Sequence, residues 1–446
     1  MFPIKKNSKT LIDKLFAIAL FALVTVCATQ YSRAQSASPY SRFGLGYLRP
    51  NAISANKGMG EVAAPYSSYT YINFANPASY ASINRTAIEL GVNLDGSSII
   101  TGDSTYRAFT GNINHLALAF SPRPEKWGLS IGLVPYSNSN YTFVQDVTDS
   151  LTGNYRLAQA GKGSLYQAYL GGAYKIRGFS IGLNLAYLFG KIDYEKSISF
   201  PDTALSFNTR NVTNMGVSSF NYNVGVQYQY RIYHNSDSLD PRGDIFINIG
   251  AYGSGGVKMR TNVTSRWERF VVSSSAGLIA VDTPQISEGV KTKVSLPMNV
   301  GAGVMFGNEL FWLAGVDFRY ANWSSFTSPI SSDKLGDTWR LSFGAQITPK
   351  FDDLRNYLAR VQYRLGGYYG KSEVLYNGKN LSDAGATLGL GFPLKATKFF
   401  RGSLNLTGNF GSRVATDAAA IRENYYRVTF GFVLNDYDWF VKRKFD

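Results

Sequence analysis

Phe179-Ser180-Ile181-Gly182-Leu183-Asn184-Leu185-Ala186-Tyr187-Leu188-Phe189 is the stretch that decides the fold class. Phe179, Ile181, Leu183, Leu185, Tyr187 and Phe189 are apolar, and Ser180, Gly182, Asn184 and Ala186 stand between them. A period of two is that of a strand whose successive side chains point to opposite faces. Six apolar residues on one face cover more than a lipid-facing band requires, since a tilted strand crosses a bilayer in about 9–11 residues. The small and polar residues of the other face suit a wet or plugged interior, not the dry core of a sandwich.

The same two-faced pattern recurs on either side. Ile88, Leu90, Val92 and Leu94 alternate with Glu89, Gly91, Asn93 and Asp95; Leu116, Leu118 and Phe120 repeat it, and Trp127, Leu129, Ile131 and Leu133 alternate with Gly128, Ser130 and Gly132. Later segments are 220–230, 245–251, 298–305, 311–318, 339–347, 359–369, 386–392, 404–410 and 426–434, with turn-rich stretches such as 233–243 between them. Lys258 and Asp317 are read on the polar face beside Glu89 and Asp95. Taking 127–145 as one kinked strand and 244–269 as one long strand gives about 14 strands; splitting both gives 16. The expected fold is all-β, a transmembrane antiparallel β-barrel, closed because lipid cannot satisfy an open sheet edge. No fixed-period repeat points to a solenoid or propeller.

The composition agrees: 30 Tyr, 29 Phe and 44 Gly accompany modest hydrophobicity, a profile of strands and turns. Residues 1–34 read as a cleaved signal peptide, with Lys5, Lys6, Lys9 and Lys14 ahead of an apolar run from Leu15 to Val26 and Ser32-Arg33-Ala34 before Gln35. That run is too short to span a bilayer as a helix, so export to a bacterial outer membrane is expected. Cys27, the only cysteine, lies within the signal, and Val26 stands where a lipoprotein signal needs a small residue. The mature chain therefore has no thiol for disulfide, metal or nucleophilic chemistry. The precursor charge of +15 includes five basic residues and one acid in the signal, leaving +11. With no nucleic-acid motif, that excess points to outer-membrane lipid and lipopolysaccharide phosphates, anionic ligand headgroups or solvated basic loops.

Residues 35–85 have neither period and read as an N-terminal plug ahead of the barrel at 86–436, with a basic tail at 437–446. Gly44, Gly46, Gly58 and Gly60 would supply backbone freedom there, and Tyr66, Tyr69, Tyr71, Phe74 and Tyr80 would anchor it against the walls. Asn76-Pro77-Ala78 reads as a turn, with Pro77 fixing φ and Asn76 bonding its own backbone. Arg42 and Lys57 are candidates for meeting a ligand carboxylate or pairing with lumen acids such as Glu89. Pro135, followed by Tyr136, would leave a ladder position unpaired or end a strand at the rim. Enzyme chemistry is not expected. His115 and His234, the only histidines, have no evident acid–base partner, and the glycines of 301–307 sit inside an alternating strand with no helix after them. No metal-ligand cluster or cofactor motif is present.

Taken in order, several motifs resemble the FadL-type outer-membrane transporters of long-chain fatty acids and aromatic hydrocarbons. They are Gly58-Met59-Gly60, Asn73 through Ala78, Trp127 to Leu133 followed by Val134-Pro135-Tyr136, Leu296-Pro297, Asp317-Phe318-Arg319-Tyr320 with Asn322 to Phe326, and Asp337-Thr338-Trp339-Arg340. The opening Ser38 to Gly44 and the ending Trp439 to Lys444 resemble a Bacteroidetes version, in which a basic tail replaces a terminal aromatic residue. The resemblance implies that 35–85 is a hatch and that a hydrophobic small-molecule ligand binds beneath the outer loops. It also implies that the hatch shifts and the ligand exits sideways through a wall kink at Pro135. Related barrels in that group serve secretion machines, so a scaffold with an envelope protein partner remains the alternative.

Overall fold

The computed structural model describes residues 38–101, 104–150, 153–200, 207–233, 245–273, 277–330, 333–394, 400–415 and 422–436. The segment read as a signal peptide (1–34), His234 and the segment read as a basic tail (437–446) lie outside them.

One antiparallel sheet closes on itself in fourteen strands. They are β1 (Thr86–Thr101), β2 (Ser104–Arg123), β3 (Trp127–Asp149), β4 (Gly153–Ile176), β5 (Phe179–Ser199), β6 (Asn208–Tyr233), β7 (Ile245–Ser254 continuing as Val257–Ser273) and β8 (Gly277–Leu296 continuing as Asn299–Asn308). The circuit continues through β9 (Trp312–Ala321), β10 (Thr338–Ile347), β11 (Gln362–Tyr376), β12 (Lys379–Pro393), β13 (Phe400–Val414) and β14 (Arg422–Asp436). β14 pairs with β1, Arg422 opposite Ile100 through Asp436 opposite Thr86. Closure supplies ladder partners for N–H groups that would have no water to bond in the apolar band, although the β2–β3 ladder stops at Leu116–Leu133.

The alternation has the orientation read from sequence. On β5 Leu183 and Leu185 are 43% and 58% exposed while Asn184 between them is 3% exposed. Apolar residues face lipid, and small or polar residues face the lumen. Two positions depart from expectation. β4 has no counterpart among the segments read from sequence, because Gly161, Gly163, Gly171 and Gly172 leave its alternation with little contrast. Lys258 points outward, since the break at Gly255-Gly256 reverses the alternation: Asn248 and Ser254 face in before it, Met259 and Thr261 after it. Pro297-Met298 reverses β8 at the matching level.

The wall is uneven. β3, β4 and β6 run for 23, 24 and 26 residues, β9 and β10 for 10 each. At about 3.3 Å per residue the difference is roughly 45–50 Å along the strand. The far halves of β3–β8 thus form a crest at the rim opposite the one where β1 begins and β14 ends, here the outer rim. A second apolar core lies inside that crest. Leu165, Leu188, Ile192, Met215, Met259 and Val294 close on Leu45 from the N-terminal segment and on Trp323, Phe326 and Leu335 from the β9–β10 connection.

Candidate functional site

Residues 52–68 and 71–83 are buried inside the barrel. The segment is not wholly irregular: Ser54–Lys57 makes one α-helical turn and Pro77–Ser82 a 3-10 helix. Asn76 caps the latter, its Oδ1 accepting from the Ala78 N–H at 3.1 Å, while Pro77 occupies the first turn, where a missing N–H costs nothing. The Asn76 amide also donates to the Ala64 carbonyl at 2.7 Å, closing the segment on itself. So Asn76-Pro77-Ala78 is a capped turn packed against β5 and β6, where Gly182 faces Pro77 and Gly225 faces Asn76.

Lumen glycines make this fit possible. A Cβ at Gly128 would lie 1.9 Å from the Tyr80 carbonyl oxygen, at Gly250 2.0 Å from that of Ala64, and at Gly344 2.2 Å from that of Met59. The backbone of the segment therefore touches the backbone of the wall. Gly60 has φ +65° and its N–H donates to Thr387 Oγ1 at 2.9 Å, so here the conformational freedom of glycine is used. Gly58 is different: its φ of −68° is ordinary, and a Cβ there would stand 3.1 Å from Gly389 Cα, a tight contact but not a clash.

Charge holds the segment on the other side. Glu61 reaches Arg340 at 2.6 Å and Arg319 at 3.3 Å. Burial pushes its carboxyl up in pKa, but the two guanidinium groups outweigh that and hold it below the usual carboxylate range. Asp317 accepts from the Ala63 and Ala64 N–H groups at 3.1 and 2.6 Å. Arg340 continues to Asp383 at 2.8 Å, and Arg413 joins Asp383 to Glu423. Arg49 and Arg427 both grip Asp95.

Neither basic candidate pairs with Glu89. Arg42 is exposed, its guanidinium 5.3 Å from the Phe43 ring centroid. Lys57 is buried, and its ammonium donates to Asn93 Oδ1 at 3.0 Å and Asn114 Oδ1 at 2.5 Å. Desolvation lowers its pKa to about 7, with Arg427 adding to the effect. Glu89 instead lies 3.2 Å from His115 Nε2 and accepts from the Ile72 N–H at 3.1 Å. His115 thus does have a carboxylate partner, across the β1–β2 ladder, which sequence separation concealed. Its Nδ1 lies 2.7 Å from the Asn114 amide nitrogen, so both ring nitrogens face wall residues, Glu89 on β1 and Asn114 on β2.

The β2–β3 ladder ends just before Pro135. The β2–β3 ladder runs from Arg123 opposite Trp127 only to Leu116 opposite Leu133. β3 keeps its pairing with β4 throughout, with a bulge between Pro135 and Ser137 that leaves Tyr136 unpaired and reverses the alternation. Above that point β2 and β3 diverge, and the N-terminal segment fills part of the seam. Tyr47 and Leu48 pair antiparallel with Asn138 and Ser137, and the Arg49 N–H donates to the Tyr136 carbonyl at 2.9 Å. A cavity of about 40 Å³ remains beside the seam, lined by Tyr47, Arg49, Phe109, Asn138, Arg413 and Tyr426.

A family model described as BamG matches residues 11–446. The chain belongs to the BamG family. Among solved structures, this BamG-family chain is similar to the toluene transporter TodX of P. putida (TM-score 0.54, 11% identity, covering 87% of this chain and 99% of that one). It is also similar to a Pseudomonas aeruginosa FadL homologue (TM-score 0.54, 12%, covering 87% and 98%) and to the Ralstonia pickettii toluene transporter TbuX (TM-score 0.52, 10%, covering 87% and 99%). At these identities the likeness is one of fold, that of a closed antiparallel β-barrel. No curated protein sequence matches the chain.

Several BamG-family lumen residues were not singled out as site residues from sequence: Glu61, Arg319, Arg340, Asp383 and Arg413. The usable signal was a charge at an inward position of an alternating strand, as Asp317 and Arg319 flanking outward Phe318. What the sequence withheld was which wall charge faces which residue of the segment.

Proposed function

We propose that this barrel passes hydrophobic small molecules, long-chain fatty acids or aromatic hydrocarbons, across the outer membrane, with residues 35–85 as the hatch and the seam above Pro135 as a lateral exit. The observation that carries the reading is the early end of the β2–β3 ladder at Leu116–Leu133, covered by a strand of only two residues, Tyr47–Leu48. Two ladder residues are a weak closure compared with the fifteen pairs that join β14 to β1. No energy source is needed, because an apolar solute moves from the lumen into lipid down its own gradient. The cavity at the seam is far smaller than such a ligand, so passage requires Tyr47–Leu48 to leave β3. A disulfide between Cys residues at positions 47 and 138 tests this in a mature chain that has no other thiol. Uptake of labelled oleate or toluene should fall to that of a deletion strain when the pair is oxidised and return on reduction. Unchanged uptake in the oxidised variant would refute the seam as the route.

A second reading, a plugged barrel that serves as a scaffold for an envelope partner, is favoured by the apolar core inside the crest. There Leu45, Trp323 and Phe326 occupy the region beneath the outer loops with the chain's own side chains. Under this reading, deletion leaves uptake of both solutes unchanged and the barrel copurifies with a fixed partner.

A further inference from the structure

We infer that the outer half of β3, Tyr141–Thr148, is a docking edge for an extended strand of another protein, running toward the membrane antiparallel to β3. β3 pairs with β4 without interruption from Ser137 opposite Leu165 to Asp149 opposite Gly153, and among the described residues no ladder covers its other side beyond Asn138. In an antiparallel strand alternate residues turn both N–H and C=O to one side. The Tyr136 carbonyl accepts from Arg49, and the Asn140 N–H donates to Ser41 Oγ, so the even-numbered residues face the seam. Continuing that parity, Thr142, Val144, Asp146 and Thr148 present four N–H and four C=O groups to the open edge.

Sheets with a free edge ordinarily blunt it with proline, bulges or charge. The crest's other border shows what that looks like. Among the described residues the outer half of β8 pairs with β7 and, on its other side, only through one bridge from Ser295 to Thr327, and it carries three register shifts, Pro284, Gly289 at φ +62°, Lys291 and Lys293. β3 has none of these between Tyr141 and Thr148: the register is unbroken and the residues are Tyr, Thr, Phe, Val, Gln, Asp, Val and Thr. Its single charge, Asp146, is matched by Arg156 at 2.7 Å. Phe143 is 38% and Val144 59% exposed, opposite Gln159 and Ala158 on β4.

The occupant follows from the same edge. Its inner end already accepts an added strand, Tyr47–Leu48, in antiparallel register, so a guest strand would continue that line outward. A second copy in the same membrane does not fit, because its β3 also runs outward and would meet this edge in parallel. The matched charge favours a guest of neutral β-branched or aromatic residues, whose side chains would lie beside Phe143 and Val144.

The test uses the full mature chain in lipid nanodiscs and hydrogen exchange read residue by residue, with a lysine-flanked octapeptide of alternating Thr and Val as probe. Without peptide, the amides of Thr142, Val144, Asp146 and Thr148 should exchange near free-peptide rates; saturating peptide should slow them tenfold or more. The same peptide N-methylated on alternate residues should give no protection. Val144→Pro removes one edge N–H and no bond to β4, so protection at Thr142 and Asp146 should be lost while heat-modifiable mobility is retained. Slow exchange in the free protein, no protection by the unmethylated peptide, or equal protection by the methylated one overturns the inference. It is independent of whether the lumen transports anything.

Discussion

Replacing Gly60 by Ala puts the docking of the N-terminal segment to a quantitative test. Gly60 sits at φ +65°, where an L-residue costs about 1–2 kcal/mol. The new Cβ would stand 2.5 Å from the Phe343 carbonyl oxygen and 2.6 Å from that of Gly367, on neighbouring wall strands. Both are backbone atoms held in a ladder, so the segment, not the wall, must move. That movement strains the Gly60 N–H bond to Thr387, worth about 1 kcal/mol, and the Thr387 bond to the Gly58 carbonyl at 3.1 Å. The sum is about 3 kcal/mol, or roughly a hundredfold more time with this part of the segment undocked. Hydrogen exchange at residues 57–64 in nanodiscs measures it, and single-channel conductance gives an independent reading. Gly58→Ala is the control: its φ is ordinary and its closest contacts, at 3.1–3.3 Å, include the side chain of Arg364, so the effect should be under tenfold. If Gly60→Ala exchanges within threefold of the wild type, backbone-to-backbone contact is not what seats the segment.

Other consequences are equally direct. Arg340→Leu leaves Glu61 and Asp383 buried with one cation fewer each, and should destabilise the barrel by about 3 kcal/mol in urea unfolding; adding Glu61→Gln should recover part of the loss. Lys57 titrates near pH 7 when folded and near its ordinary 10.5 when unfolded, so the folded state holds fewer protons in that window. Stability should therefore rise as pH increases from about 7 to 10, and Lys57→Met should flatten that rise in pH-dependent thermal unfolding. In the β8–β9 turn, Glu309 accepts from the Tyr69 N–H at 3.0 Å and from Ser68, and burial raises its pKa to about 7. Its folded value lies above the unfolded one, so its contribution is greatest below pH 4.5 and is lost as pH rises to about 7. Protection of the Tyr69 amide, corrected for intrinsic rate, should follow that curve in the wild type and lose its pH dependence in Glu309→Gln.

The barrel was legible because strand faces are decided locally. Leu183, Asn184 and Leu185 announce lipid, lumen and lipid by chemistry alone, and a membrane strand has no third place to put a side chain. The same logic marked Glu89, Asp95 and Asp317 as lumen residues, and the chemistry of Asn and Pro marked Asn76-Pro77-Ala78 as a turn. It failed where alternation carries no contrast, as along the Gly- and Ala-rich β4, or where two glycines reverse it, as before Lys258. Partners across the lumen were beyond it altogether. Glu61 meets Arg340, and Lys57 meets Asn93 and Asn114 in place of Glu89, because ring closure and the path of residues 38–85 set those distances. The seam is likewise tertiary: Pro135 signals a lost ladder bond, but only the early end of the β2–β3 ladder puts the bulge beside an unpaired stretch of wall. Where alternation is unbroken, sequence determined which side of the wall a residue takes, since that depends on side-chain polarity and a period of two; the closed register decided which residues meet, since that depends on the stagger of all fourteen strands.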